Sequence, residues 1–212
     1  MPQRSESHVE IELDDGTLDG KIAVPEDAPG IVVFAHGSGS SRHSPRNNYA
    51  AEVIRSRGLG TLLFDLLTET EDRLRANRFD IPLLTTRLVS ATDWLRKREA
   101  ERDPRIGLFG SSTGAAAALR AATQVDDISA VVSRGGRVDM ASEVVDSVSA
   151  PTLLIVGGAD TQVLELNRAT YDKLDCRKEL HVVEKAGHLF EGEGELEEVA
   201  EVAANWFATE LQ

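Results

Sequence analysis

The strongest constraint on this chain's fold is a regular alternation of two kinds of segment. Short apolar runs, "GIVVFAH", "LGTLLFD", "RIGLFG", "ISAVVS", "PTLLIVGG" and the more polar "ELHVVEKAG", have the length and composition of strands covered on both faces. Between them lie segments with helical spacing. "YAAEVIRSRG" stops at Gly58 as a helix with a glycine cap does, "IPLLTTRLVSATDWLRKRE" carries a long apolar stripe, and "ELEEVAEVAANWFATEL" places Leu196, Val199, Ala200, Ala203, Trp206 and Phe207 on one face. Strands alternating with helices predict an α/β fold with a mostly parallel, doubly wound sheet. Before them, "HVEIELDDGTLDGKIAVP" alternates apolar and polar residues around Asp15 and Gly16, which predicts an N-terminal antiparallel hairpin. In such a sheet the functional site is expected at the carboxyl ends of the strands.

Length and composition narrow the function. The 212 residues, 41% of them hydrophobic, suit one domain spanning 1-212, with no linker, repeat or low-complexity block. A net charge of -13, from 36 acidic and 23 basic residues, argues against nucleic acid as a partner, since binding phosphate backbones requires a basic face. No apolar run reaches a membrane span, and "MPQRSESHVE" lacks a signal-peptide core, so a cytoplasmic protein is expected. Cys176 is the one cysteine and reads as a packing or surface residue. No spacing of His, Asp or Glu suggests a metal site, and the "EGEGELEE" run reads as a solvated helix start.

Chemistry enters at "RIGLFGSSTGAAAALR". A strand, a G-x-S-x-G turn and an alanine-rich helix form the sequence of a nucleophile elbow, with Ser112 at its tip and Gly110 and Gly114 flanking it where strand and helix cross. A serine hydroxyl needs a base to attack a carbonyl and an acid to orient that base. In this architecture they follow in the order acid, then histidine, each just past a strand. Asp160 in "VGGAD" and His188 in "KAGHLF" occupy those places. Asp160 alone could equally be the N-cap of "TQVLELNRATYDKL". The other histidines are poorer bases, because His8 and His181 lie within strands and His36 and His43 in the loop after "IVVFA".

An oxyanion needs two preorganised donors. The Thr113 N–H, rather than its hydroxyl, is one candidate, and the Ser38 N–H after His36 and Gly37 is the other. The loop "HGSGSS" also has the look of a dinucleotide fingerprint, but its third glycine position holds Arg42.

These motifs, with "LLFDLLTE" and "SRGGR", resemble the α/β-hydrolase superfamily over nearly the whole chain. Within it they are similar to dienelactone-hydrolase-like proteins, a type that also occurs fused to phosphoribosyltransferase domains. The resemblance implies an eight-stranded hydrolase core, a triad of Ser112, Asp160 and His188, and an oxyanion hole at Ser38 and Thr113. True dienelactone hydrolases carry a cysteine in the elbow where this chain has Ser112, so dienelactone itself is not the implied substrate. The expected reaction is acyl transfer to water through an acyl-enzyme, with no cofactor or metal, on a small ester, lactone or thioester. A non-catalytic or acyltransferase role on the same fold is the alternative. Only 17 residues, Arg134 to Ala150, separate "ISAVVS" from "PTLLIVGG", too few for a large cap, so the site should be open.

Arginines gather in two loops expected to overlook Ser112, Arg42 and Arg46 in one and Arg134 and Arg137 in the other. Arg134 and Arg42 are therefore candidate substrate-binding residues for an anionic ester or lactone. The competing reading pairs such arginines with acids, Asp65 or Asp139.

Overall fold

A computed structural model describes residues 6–212. Its centre is an eight-stranded sheet in the order β1-β2-β4-β3-β5-β6-β7-β8. Strands β1 (Ser7–Leu13) and β2 (Gly16–Ala23) form the expected hairpin, and β2 also pairs antiparallel with β4 (Gly60–Phe64). The remaining pairings, through β3 (Gly30–Ala35), β5 (Arg105–Ser111), β6 (Ile128–Arg134), β7 (Thr152–Gly157) and β8 (Lys178–Val183), are parallel. This is the sheet and hairpin that the apolar runs predict.

The helices are α1 (Pro45–Ser56), α2 (Glu69–Asp72), α3 (Ile81–Arg98), α4 (Thr113–Ala121), α5 (Thr161–Lys173) and α6 (Glu195–Glu210). Side chains alternate across a strand, so neighbouring residues serve opposite layers. Ile31 and Val33 pack with Leu88, Leu95 and the alanines of α4, whereas Val32 and Phe34 pack with Ile54 of α1 and Ala203 and Phe207 of α6. Central strands buried on both faces therefore carry unbroken apolar runs, and β3 and β4 are buried at every position. Between β6 and β7 the chain makes only two 3-10 turns, Val138–Ala141 and Val145–Ser147, and no cap is present there.

One helix departs from its pattern. Arg87 lies in α3 on its buried side, 6% exposed. Its guanidinium binds both oxygens of Asp15 at 2.8 Å and also bonds Glu71. Glu71 itself closes a capping box with Thr68 at the start of α2. These contacts connect the hairpin turn, the segment after β4 and α3 through one cation, whose pKa they raise above its ordinary value, while the carboxyls of Asp15 and Glu71 lie below theirs.

Candidate active site

The elbow forms where β5 meets α4. Ser112 has φ 50° and ψ -119°, a conformation that costs a residue with a Cβ on the order of 1–3 kcal/mol. The surroundings hold it there. Its N–H donates to the Arg134 carbonyl at 3.2 Å, and its own carbonyl accepts from Ala115 and Arg137 N–H at 3.1 and 3.0 Å. The flanking glycines are steric requirements. A Cβ on Gly110 would lie 2.6 Å from the Gly114 carbonyl oxygen, and one on Gly114 would lie 2.6 Å from that of His36 and closer still to that of Ala35. Ser111, by contrast, is buried, and its hydroxyl donates to Asn47 Oδ1 at 3.1 Å.

Asp160 and His188 stand on the loops after β7 and β8, which are bonded together. Ala159 N–H donates to the Ala186 carbonyl, Gly158 N–H to that of Val183, and the buried Phe190 anchors the second loop between the sheet and α6. His188 Nδ1 lies 2.7 Å from Asp160 Oδ2. Asp160 does occupy the N-cap position of α5, but its side chain makes no capping bond and is turned to the histidine instead. With the carboxylate ionised, Nδ1 carries the proton and donates it, leaving the Nε2 lone pair free. The ring packs on Gly135, where a Cβ would stand 3.5 Å from Nδ1 and Cε1. Gly135 follows the very residue whose carbonyl holds Ser112, so the imidazole is seated beside the elbow. Ser112 Oγ and His188 Nε2 make no hydrogen bond in this structure, as is common before substrate tightens such contacts. His188 is 39% exposed and Asp160 18%, so the pair faces an open surface.

The loop after β3 arrives from the other side. Gly37 approaches the elbow so closely that a Cβ there would lie 3.1 Å from the Ser112 Cβ, whereas Gly39 stands in open space and is set apart by its φ of 71°. His36, passed over as a base, holds this loop: Nδ1 donates to the Gly37 carbonyl at 2.9 Å and Nε2 accepts the Leu66 N–H at 3.0 Å. Burial pushes its pKa below the usual histidine value, despite the opposing pull of the Gly37 carbonyl, Asp65 and Asp72. The Ser38 N–H donates to Thr113 Oγ1 at 3.0 Å. The threonine hydroxyl, which the sequence left without a role, therefore ties the loop after β3 to the start of α4.

The four arginines separate. Arg42 is committed to Asp65, through its N–H at 2.6 Å and its guanidinium, and lies 3.6 Å from Asp19. Arg137 forms a two-pronged pair with Asp139 at 2.8 and 2.9 Å. Arg46 binds the exposed Glu191 at 2.9 Å. Arg134 has no such partner: its guanidinium makes no hydrogen bond or ion pair with the described residues, and Nη1 is fully shielded from solvent. Burial and the nearby Arg46 push its pKa down to about 10, so it stays cationic at neutral pH. The acid-pairing reading thus describes Arg42 and Arg137, and leaves Arg134 as the uncompensated cation at the strand end.

The eight-stranded sheet, the elbow after β5 and the acid and histidine after β7 and β8 define an α/β-hydrolase. Residues 18–211 match the model of the dienelactone hydrolase family, and the chain belongs to that family. It is 47% identical to a dienelactone hydrolase from Anabaena variabilis, whose crystal structure superposes with a TM-score of 0.95 over 98% of this chain and 99% of that one. An esterase from Pyrococcus furiosus shares the fold at a TM-score of 0.82 and 20% identity, over 98% of this chain and 92% of that one. Two Mycobacterium tuberculosis proteins named as phosphoribosyl transferases are 54% identical over 193 residues, 91% of this chain. The chain spans only 44% of the length of those relatives. No helix among the described residues is long and apolar enough to cross a membrane.

Proposed function

We propose that this hydrolase is a serine esterase acting on small or short-acyl carboxylic esters, lactones or thioesters. The observation that carries the reading is the 2.7 Å Asp160–His188 contact beside a serine held at positive φ. In this mechanism His188 Nε2 takes the Ser112 proton as Oγ attacks the carbonyl carbon. Asp160 fixes the imidazole tautomer and stabilises the imidazolium, which then protonates the leaving group. A water activated by the same nitrogen hydrolyses the acyl-enzyme and frees Ser112.

Arg134 supports a refinement of substrate class. A partly buried guanidinium with a shielded Nη1 and no anion among the described residues carries a desolvation cost that a substrate carboxylate would offset through paired N–H donors. The longer relatives carry a transferase name, and this chain corresponds to 44% of their length, so their whole-protein activity is not carried over to it.

The test is covalent labelling. A fluorophosphonate should add once to the wild type, once to Ser111→Ala and not at all to Ser112→Ala, and only the first two should turn over a panel of activated esters, lactones and thioesters. Labelling or turnover that persists in Ser112→Ala would refute the assignment.

A further inference from the structure

We propose that Asn167 is a positioning residue, which takes no part in the reaction but sets Ser112 and His188 in place. This rests on the esterase reading of Ser112 as nucleophile and His188 as base. The three residues that leave β6 each meet a different partner. Gly135 underlies the His188 ring, where a Cβ would stand 3.5 Å from Nδ1 and Cε1. The Arg137 N–H donates to the Ser112 carbonyl at 3.0 Å. Between them the Gly136 carbonyl accepts from Asn167 Nδ2 at 2.9 Å. One tripeptide thus bears on base and nucleophile at its two ends and on Asn167 at its middle.

The tripeptide allows close approach, but it is not stiff by itself. Gly135 has φ 53°, and a Cβ on Gly136 would lie 2.7 Å from the Ala115 Cβ and closer still to Ser133 Oγ. Two adjacent glycines have wide conformational freedom, so contacts from outside must fix them. Asn167 supplies one from α5. It is 0% exposed, and its Nδ2 also donates to the Val163 carbonyl, one turn back on its own helix, at 2.8 Å. It stands seven residues, about two turns, after Asp160 at the N-cap of α5, hence on the same side of that helix. The helix that presents the acid is thereby bonded to the tripeptide that seats base and nucleophile. Packing alone does not account for the residue. Asparagine is a poor helix former, and its Oδ1 is shielded without a partner among the described residues, an unmet acceptor that a leucine of similar size would not bury. Such a local cost is expected where a side chain serves the site.

The test is the kinetics of fluorophosphonate labelling. The end point counts folded sites, and the rate constant reports how well His188 activates Ser112. A side chain that only stabilised the fold would lower the first and leave the second unchanged. Asn167→Leu keeps the size and removes the amide, and Asn167→Ala replaces it if the leucine variant does not fold. The rate constant per labelled site should fall by about 10- to 100-fold, since a displacement of about 1 Å in a reacting group costs up to about 10²-fold. A fall of less than tenfold in a variant whose circular dichroism matches wild type would overturn the proposal, because Asn167 would then only pack. Failure of both variants to fold would overturn it too, by making the amide a folding requirement. In either case labelling of the wild type at Ser112 would leave the esterase reading standing. Labelling absent from the wild type would instead remove the nucleophile, and both readings would fall together.

Discussion

The carbonyl of Arg134 accepts the Ser112 N–H at 3.2 Å while the guanidinium of the same residue has no partner among the described residues and its Nη1 is shielded from solvent. One residue thus supports the elbow with its main chain and leaves a cation available with its side chain. The two roles can be separated, since Arg134→Met keeps the carbonyl and removes the charge. The variant should lose about 10- to 100-fold more kcat/KM on a carboxylate-bearing ester than on its neutral methyl analogue, the ~1.5–3 kcal/mol of a charge-assisted bond. Its melting temperature should not fall, because replacing an unpaired buried charge by an apolar chain removes a desolvation penalty. Equal losses on both substrates would mean that Arg134 supports the loop alone.

Asp160 contacts His188 instead of capping its helix, so Asp160→Asn should affect catalysis and spare the fold. An amide in that place favours the wrong imidazole tautomer, and kcat should drop on the order of 10⁴-fold with an unchanged circular dichroism spectrum. A loss below tenfold would show that the aspartate does not orient the base.

The elbow was readable because its demands are local: a tight turn needs small flanking residues within five positions, and chain order brings Asp160 and His188 to neighbouring strand ends. Pairings across the fold were not. Nothing in "SSRHSPRN" or "SRGGRVD" says which arginine meets an acid. Arg42 reaches Asp65 because β3 and β4 are neighbours, whereas Arg137 meets Asp139 within its own turn, and Arg134 is left over. Thr113 gave the same difficulty, because its hydroxyl gains a role only when the loop after β3 brings Ser38 opposite it. Arg87 was hidden in an apolar stripe for a related reason, its burial being made tolerable by carboxylates from two distant segments, Asp15 and Glu71.

Gly114 gives a prediction about assembly. A Cβ there meets main-chain oxygens of Ala35 and His36, which cannot swing aside as a flexible side chain would. Gly114→Ala should destabilise the protein by about 1–3 kcal/mol or more and displace the loop that carries Ser38. Urea unfolding should show the loss as a lower midpoint at constant slope. A midpoint equal to wild type would mean that helix and strand separate easily at this crossing.

The last prediction concerns His36 and acid. Its imidazole is buried, accepts the Leu66 N–H at Nε2 and has a pKa below the ordinary histidine value. The unfolded chain protonates this residue near pH ~6.5, while the folded protein resists, so below that pH the unfolded state binds more protons. Stability is therefore fully present above pH ~6.5 and declines as the pH falls from there towards the depressed folded value, below which the decline from this group ends. Protonation also turns Nε2 from acceptor into donor, facing the Leu66 N–H, so a bond that links the segment after β4 to the loop after β3 is lost. The loss should be about 1–3 kcal/mol for a buried donor left without a partner. His36→Gln does not titrate and can still bond both neighbours. Melting temperatures followed from pH ~7.5 down to ~5 should fall less steeply for His36→Gln than for wild type. Parallel curves would show that the acid sensitivity arises elsewhere and that His36 does not couple protonation to the loop.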